Sequence, residues 1–377
     1  MKIIFYTHSL VSCWNHGNAH FLRGVMRELV VAGHETLALE PADGWSRTHL
    51  LASQGPGALA RFAADFPDLH AVTYEARFDH AEALADADLV IVHEWTPPEL
   101  VAAIGRIRRA GGRFTLLFHD THHRAVSAAG EIGGLDLSDY DGVLAFGETL
   151  RQRYLAAGWG RQVFTWHEAA DTALFRPLPG VAKDRDLVWI GNWGDNERTR
   201  EIDDFLIEPA RWLGLRTAVH GVRYPPDALA RLSWANIRYG GWIANADVPS
   251  AFARSRMTVH IPRRPYVESL PGIPTIRLFE ALACGIPLIS APWDDCEGLF
   301  RPGRDFFYAR TRQEMQRLMA ALACDDDMVA ELAASGLETI HNAHTCRHRV
   351  AQLLSIVAEL QATPSPPRAT LPLEMLA

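Results

Sequence analysis

Short apolar runs of four to six residues, each followed by a stretch with helical periodicity, recur from one end of this chain to the other. A run with no polar alternation reads as a strand buried on both faces. That is the state of a strand inside a parallel sheet, whose neighbours must be joined by crossover helices. Candidate strands lie at Ile3–Thr7, Glu35–Leu39, Leu89–His93, Phe114–Phe118, Gly142–Phe146 and Gln162–Trp166. Amphipathic helices such as Ala19–Ala32 and Pro98–Ala110 separate most of them. The succession then starts again with Asp186–Ile190, Arg216–His220, Ile237–Tyr239, Met257–Ile261, Pro287–Ser290 and Phe306–Tyr308. Two α/β, Rossmann-like, doubly wound domains facing each other across a cleft are therefore expected.

The 377 residues suit two cores better than one. The segment 169–185, Pro-rich and without periodicity, reads as the link. It divides an N-terminal domain over 1–168 from a C-terminal domain over 186–345. Helical patterns at Gln313–Ala323 and Met328–Ala343 lead to a last helix over 346–361, and the Pro-rich tail 362–377 reads as disordered. Composition is that of a globular protein, 48% hydrophobic and 22% charged. The net charge of -8 disfavours a nucleic-acid partner. Five widely spaced cysteines with no CxxC indicate neither a disulfide framework nor a zinc site. No apolar run approaches the roughly 18 residues of a membrane span, and Met1–His8 carries no signal-peptide pattern, so a cytoplasmic location is expected.

Chemistry concentrates where these strands end. In Gly272-Ile-Pro-Thr-Ile-Arg-Leu-Phe-Glu280-Ala-Leu-Ala-Cys-Gly285-Ile-Pro287, a Gly-Pro turn opens a short helix, Gly285 stops it, and a strand follows. The first-turn amides near Thr275 and Ile276 would face an anion, and Glu280 would lie deep enough to accept from a ribose diol. This arrangement suits a nucleotide diphosphate. The loop Gly191-Asn192-Trp-Gly194-Asp-Asn-Glu-Arg198-Thr-Arg200 lets backbone approach a ligand and offers Arg198 or Arg200 to a phosphate. His220, Arg263 and Arg264 follow two other strands, as rim or diphosphate contacts. In the first half, the loop from His8 to His20 contains His16, Gly17, Asn18 and His20, and neutral imidazoles are competent bases at pH 7. His16 and His20 stand four apart, but no third metal ligand is evident. His119-Asp120-Thr-His122-His123 leaves the strand Phe114–Phe118, and His93-Glu94-Trp95 ends its neighbour as a candidate acceptor surface.

The block Arg277–Pro287 resembles the "R-x-FEA-x-ACG-x-P" donor-nucleotide motif of group-1 (family 4-like) GT-B glycosyltransferases, most closely their CgeB-like (spore maturation) branch. Asp171, Phe175 and Pro177 resemble the family's interdomain "G-V-D-x-x-x-F-x-P", with Ala169 in place of its glycine. Gly298-Leu-Phe-Arg-Pro-Gly303 is similar to a "G-L-F-x-x-G" stretch of that branch. The resemblance implies a GT-B glycosyltransferase with a nucleotide-diphosphate sugar as co-substrate and no metal or other cofactor. The acceptor would be a small molecule, glycan or natural product. It also implies donor contacts from Gly17, Asn18, Gly191, Asn192, Arg198, His220, Arg263, Thr275, Ile276 and Glu280. Catalysis would fall to His119, whose family counterpart contacts the donor sugar, with His16 and His20 as competitors. Many retaining members carry a first glutamate eight positions before Glu280, where this chain has Gly272; Glu268 is the nearest acid upstream.

Rival readings differ in what they require. A nicotinamide enzyme needs a GxGxxG after a strand, which is missing. A metal-dependent GT-A transferase needs an Asp-x-Asp at a strand end, whereas Asp86-Ala-Asp88 and Asp184-Arg-Asp186 precede strands. A nucleotide-sugar 2-epimerase of GT-B architecture and a non-catalytic sugar-nucleotide-binding protein are the alternatives.

Overall fold

A computed structural model describes residues 1–194 and 196–362. The part of the tail expected to be disordered from Thr363 onward lies outside the described residues. The last helix, Cys346–Ala362, runs one residue past its expected end.

The first sheet has seven parallel strands: β1 (Lys2–Tyr6), β2 (Glu35–Pro41), β3 (Ala71–Tyr74), β4 (Leu89–His93), β5 (Thr115–Asp120), β6 (Gly142–Ala145) and β7 (Val163–Thr165). Their order is β3-β2-β1-β4-β5-β6-β7. The second has six, also parallel: β8 (Arg185–Ile190), β9 (Thr217–His220), β10 (Arg238–Tyr239), β11 (Ser255–His260), β12 (Leu288–Ser290) and β13 (Phe307–Tyr308), in the order β10-β9-β8-β11-β12-β13. Each sheet reverses direction between its first and fourth strands, β1 and β4 in one, β8 and β11 in the other. Helices leave to opposite faces at that point, and a crevice opens at the carboxyl ends of the strands.

Twelve of the thirteen strands stand where apolar runs place them. The exception is β3, an edge strand of four residues with Val72 and Thr73 exposed. With one neighbour and little buried area it needs no apolar run. β5 ends later than expected. Its pairing with β6 continues through Asp120, which is fully buried and accepts from Tyr154 Oη at 2.7 Å and from the His122 amide at 3.0 Å. Those two bonds make a charged residue an acceptable end to a central strand.

The chain crosses between domains twice, and the crossings lie side by side. Ala170 and Thr345 form a bridge, with the Ala170 amide donating to His344 O and the Cys346 amide to Ala170 O, each at 2.9 Å. The helix Cys346–Ala362 thereby returns to the first domain. Cys346, Val350, Leu353, Ile356 and Val357 join Phe5, Phe21, Leu22 and Trp166 in one core. At Gly24 of the helix Asn18–Val31 a side chain would strike Cys346 Sγ at 2.5 Å and Asp171 Cβ at 2.7 Å, so only glycine lets the two crossings dock there.

Candidate active site

Between the two sheets lie two adjoining cavities. The smaller, about 180 Å³, is lined mainly by the C-terminal domain through Gly191, Asn192, Arg198, His220, Trp242, Arg263 and Arg277. The larger, about 600 Å³, is lined mainly by the N-terminal domain through His8, Trp45, Trp95, His122, His123 and Glu168. They share a wall of His16, Gly17, Asn192, Arg263, Tyr266, Thr275 and Ile276. The domains close against each other around this wall. Asn192 Nδ2 donates to Asn15 Oδ1 at 2.6 Å, and Glu297 accepts from the Glu148 amide and pairs with His167, both at 2.8 Å. A Cβ on Gly17 would lie 3.3 Å from Ile276 Cγ2, so the first-domain loop sits tightly over the start of the helix Ile276–Ala283.

The smaller cavity is built for negative charge. Arg198 is half-buried, with Nη1 donating to Ile261 O at 2.7 Å, Nη2 to Asn192 O at 2.5 Å, and its guanidinium 5.1 Å above the Trp189 ring. Its Nε has no partner. Burial, with Arg263 close by, lowers its pKa to about 9. Such a cation is stabilised by an incoming anion. Arg263 donates to Glu197 at 3.2 Å. Thr275 caps the helix Ile276–Ala283 by backbone conformation alone, making no side-chain bond to the first-turn amides. The expected anion-facing turn is therefore present. At the other end of this cavity, His220 Nδ1 and Trp242 Nε1 are buried without partners. Gly221 must be glycine, because a Cβ there would lie 2.1 Å from Gly191 O.

Glu280 is placed differently from its expected role as a ribose anchor. It is 1% exposed and outside the lining of both cavities. Its Oε1 meets His20 Nδ1 at 2.6 Å, and its Oε2 accepts from Arg277 Nη1. Burial alone would raise its pKa, but Arg277 and His20 outweigh it and hold the carboxyl below its ordinary value. The carboxylate thus ties the first-domain helix to the second domain and aims Arg277 at the cavity. His20 lines the smaller cavity while serving this pair.

His119 is likewise not where the sequence places it. It lies within β5, not past it, and alternation turns its ring to the core, 4.8 Å from Trp166 and 6.2 Å from Phe21. It lines neither cavity. Asn18 lines the larger cavity, and its Nδ2 lies 2.6 Å from both His93 Nε2 and Thr121 Oγ1. His16 is different. It belongs to the shared wall, it is 7% exposed, and its Nε2 has no partner. Burial, then His8 and His93, push its pKa well below the ordinary value, so it stands as a neutral imidazole.

The larger cavity is aromatic and close to neutral. The His8 ring lies 6.4 Å from Trp45 and 6.0 Å from Trp95, and both indoles are partly exposed at the mouth. Burial lowers the pKa of His8 to about 4 and that of His122 well below its usual value. One carboxyl of this lining, Glu168, has no signal in the sequence, and Glu94, of the candidate acceptor stretch His93–Trp95, lies outside the lining. Glu94 and Glu168 are 1% and 6% exposed, and burial pushes each up to about 8. Glu94 stood in a noted loop; Glu168 sits in the linker-proximal stretch Trp166–Ala170, where only proximity in space signals it. Among the described residues, no group of three or more His, Cys, Asp or Glu side chains could hold a metal ion.

The place of the missing first glutamate also has a structural reason. Gly272 has φ +85°, and a Cβ there would lie 2.5 Å from Cys296 Sγ. No glutamate fits. Glu268 does not compensate, since it borders an outer hollow with Arg264 instead of either cavity.

Two parallel six- and seven-stranded sheets with their switch points opposed across a cleft form the GT-B arrangement, and known proteins agree. Residues 198–355 match the family model described as Glycosyl transferase-like. The chain has the GT-B fold, and its residues 198–355 carry a glycosyl transferase-like domain. Anabaena HepE in complex with UDP and glucose superposes with a TM-score of 0.66 at 15% identity, covering 95% of this chain and 99% of that one. Sucrose-phosphate synthase from Thermosynechococcus elongatus gives 0.65 at 13%, covering 96% and 99%. An α-glucosyltransferase in complex with UDP and a 13-mer DNA containing a HMU base gives 0.71 at 11%, covering 95% and 99%. Among curated proteins, no relative matches by sequence. No helix among the described residues of this protein is long and apolar enough to cross a membrane.

Proposed function

We propose that this protein moves a sugar from a nucleoside diphosphate donor to a hydroxyl acceptor, without a metal ion. One observation carries the reading: Arg198, Arg263, Arg277 and the uncapped turn at Thr275–Ile276 converge on the smaller cavity, which meets the larger one at His16. The diphosphate lies against the arginines and helix amides, which stabilise the charge that develops as the nucleotide leaves. The base occupies the end near His220 and Trp242, whose unpaired ring nitrogens are free to bond it. Gly17, Asn192 and Gly191 allow the close backbone approach. The sugar carbon then sits at the shared wall, and neutral His16 takes the acceptor proton or donates to the sugar.

The acceptor enters from the larger cavity, between Trp45 and Trp95. It is a small molecule, glycan or natural product; the net charge of -8 favours these over a nucleic acid. The cavity volume of about 600 Å³ beyond the donor favours transfer over 2-epimerisation, which needs no second substrate site. Membership of the CgeB-like branch, supported by the Arg277–Pro287 and Gly298–Gly303 motifs, and a cytoplasmic site of action belong to the same proposal. A thermal-shift screen against UDP, GDP, ADP, CDP and dTDP and their sugars tests it, since a ligand of the native state raises Tm by mass action. With the best donor, free nucleoside diphosphate plus a glycoside means transfer. An isomerised donor means epimerase, and unchanged donor means binding only.

A further inference from the structure

A separate hollow of about 190 Å³ adjoins the smaller cavity through Cys13 and Trp242, which line both. It is bounded by the first-domain helices Trp45–Gln54 and Gly57–Asp65 and by second-domain residues around Asn245. Two buried polar side chains, one from each domain, meet in its lining. Arg23 is 2% exposed, with Nε donating to Leu10 O at 2.9 Å and Nη1 to Asn245 Oδ1 at 3.1 Å. Its guanidinium carbon lies 5.1 and 4.9 Å from the centres of the Phe62 and Phe66 rings. Among the described residues its Nη2 makes no hydrogen bond and no carboxylate pairs with it. Asn245 is also 2% exposed, and its Nδ2 is buried without a partner. A guanidinium this deep is almost always paired, because an unpaired buried charge and an unbonded buried amide both cost stability. The one carboxylate of the lining, Asp65, is held by Arg61 at 3.3 Å, and Arg61 also reaches Asp247 across the domains at 2.7 Å. Two arginines against one aspartate leave the lining one positive charge in excess. Val11, Leu50, Phe62 and Phe66 supply apolar walls.

We propose that this hollow is a second ligand site, taking a small monocarboxylate with an apolar body whose charged end lies between Arg23 and Asn245 and joins the two domains. The free N–H groups at Arg23 Nη2 and Asn245 Nδ2 are donors only. They select a group that only accepts, and a carboxylate accepts on both oxygens. One excess positive charge matches a monoanion. A phosphate monoester would bring roughly two negative charges to a place where Arg61 is already engaged by two aspartates. The volume limits the body. A cavity of about 150 Å³ takes benzene, so this one of about 190 Å³ takes one ring or a short branched chain together with its carboxylate. Neither the donor nor the acceptor assignment is needed for this site.

Saturation-transfer NMR of the full chain at neutral pH, with benzoate, isovalerate and benzamide as probes and inorganic phosphate as competitor, tests the site. Benzoate or isovalerate should bind. Benzamide, which keeps the shape without the charge, should bind at least about tenfold more weakly than benzoate, and phosphate should not displace the carboxylate. Two substitutions locate the site. Arg23→Met keeps an apolar stem and removes the charge, whereas Ala58→Phe leaves Arg23 and Asn245 in place and fills the hollow from the helix Gly57–Asp65. Each should weaken carboxylate binding by at least about tenfold, and Ala58→Phe keeps the test decisive if Arg23→Met fails to fold. Binding that survives either substitution overturns the inference and moves the carboxylate elsewhere, such as to the arginines of the smaller cavity. Benzamide binding as tightly as benzoate, or displacement by phosphate, overturns the choice of a monocarboxylate. No binding by benzoate or isovalerate overturns the site itself and leaves the Cys13 sulfur, in the same lining, as the counter-charge of Arg23.

Discussion

Replacing Glu280 with Gln separates two roles that its sequence motif joins. The side chain is 1% exposed, with His20 Nδ1 at 2.6 Å on one oxygen and Arg277 on the other. Gln keeps the volume, so no cavity term enters. It removes the charge that faces Arg277 and presents one amide NH₂ where a carboxylate oxygen stood. Removing one partner of a buried ion pair costs about 3–5 kcal/mol, and since Gln retains one acceptor we expect a loss near the lower figure, about 3 kcal/mol. Denaturant unfolding followed by tryptophan fluorescence at neutral pH measures it. The carboxyl's lowered pKa sets the sign of the pH dependence. Its stabilisation is fully present above the unfolded-state value of about 4.3 and is lost as pH falls through the folded value, so the curves of the native protein and of Glu280→Gln should converge in acid. Donor Kd should weaken only through a less well aimed Arg277, by about tenfold or less, or roughly 1.4 kcal/mol. Unchanged stability with a donor Kd weakened by more than about a hundredfold, roughly 2.7 kcal/mol, would refute the argument and return the carboxylate to the ribose.

Three further outcomes follow from the site. His16→Ala should lower kcat by about 10²–10⁴-fold with much less change in donor affinity, because Arg198 and the helix amides hold the nucleotide without it. His119→Ala, run in parallel, should mainly destabilise the core around Trp166; a collapse of kcat there with normal turnover in His16→Ala would reverse the assignment. Arg198→Gln should weaken donor binding by about 1.5–3 kcal/mol as a charged hydrogen-bonding group is lost, read by calorimetry, and an unchanged Kd would move the diphosphate elsewhere. Turnover should survive EDTA without rescue by Mn²⁺ or Mg²⁺, whereas loss restored by either ion would show that a metal shares the charge stabilisation assigned to the arginines.

The sequence by itself determines the architecture. Strands buried on both faces must be apolar, and helices between them must be amphipathic. Eleven of the thirteen strands announce themselves in this way; at the sheet edges β10, exposed at both its residues, is marked by the neighbouring Ile237, and β3, with exposed Val72, stays silent because an edge strand is under no such demand. The Pro-rich link and the turn that opens the Ile276 helix are legible for the same local reasons, since proline and glycine act on their own backbone. Which side chains reach the cleft is decided only by tertiary structure. β5 extends two residues beyond its apolar run because Tyr154, far along the chain, bonds Asp120, and that extension carries His119 into the core. Glu280 looks free for a ligand until His20, 260 residues away, is found on it. Glu168 has no motif at all; its neighbours Glu94, Tyr266 and Ile276 come from three other segments and meet only when both domains close. Backbone preferences are local and are written in adjacent residues. The field and the partners that give a carboxyl or an imidazole its role belong to contacts that the chain makes only after folding.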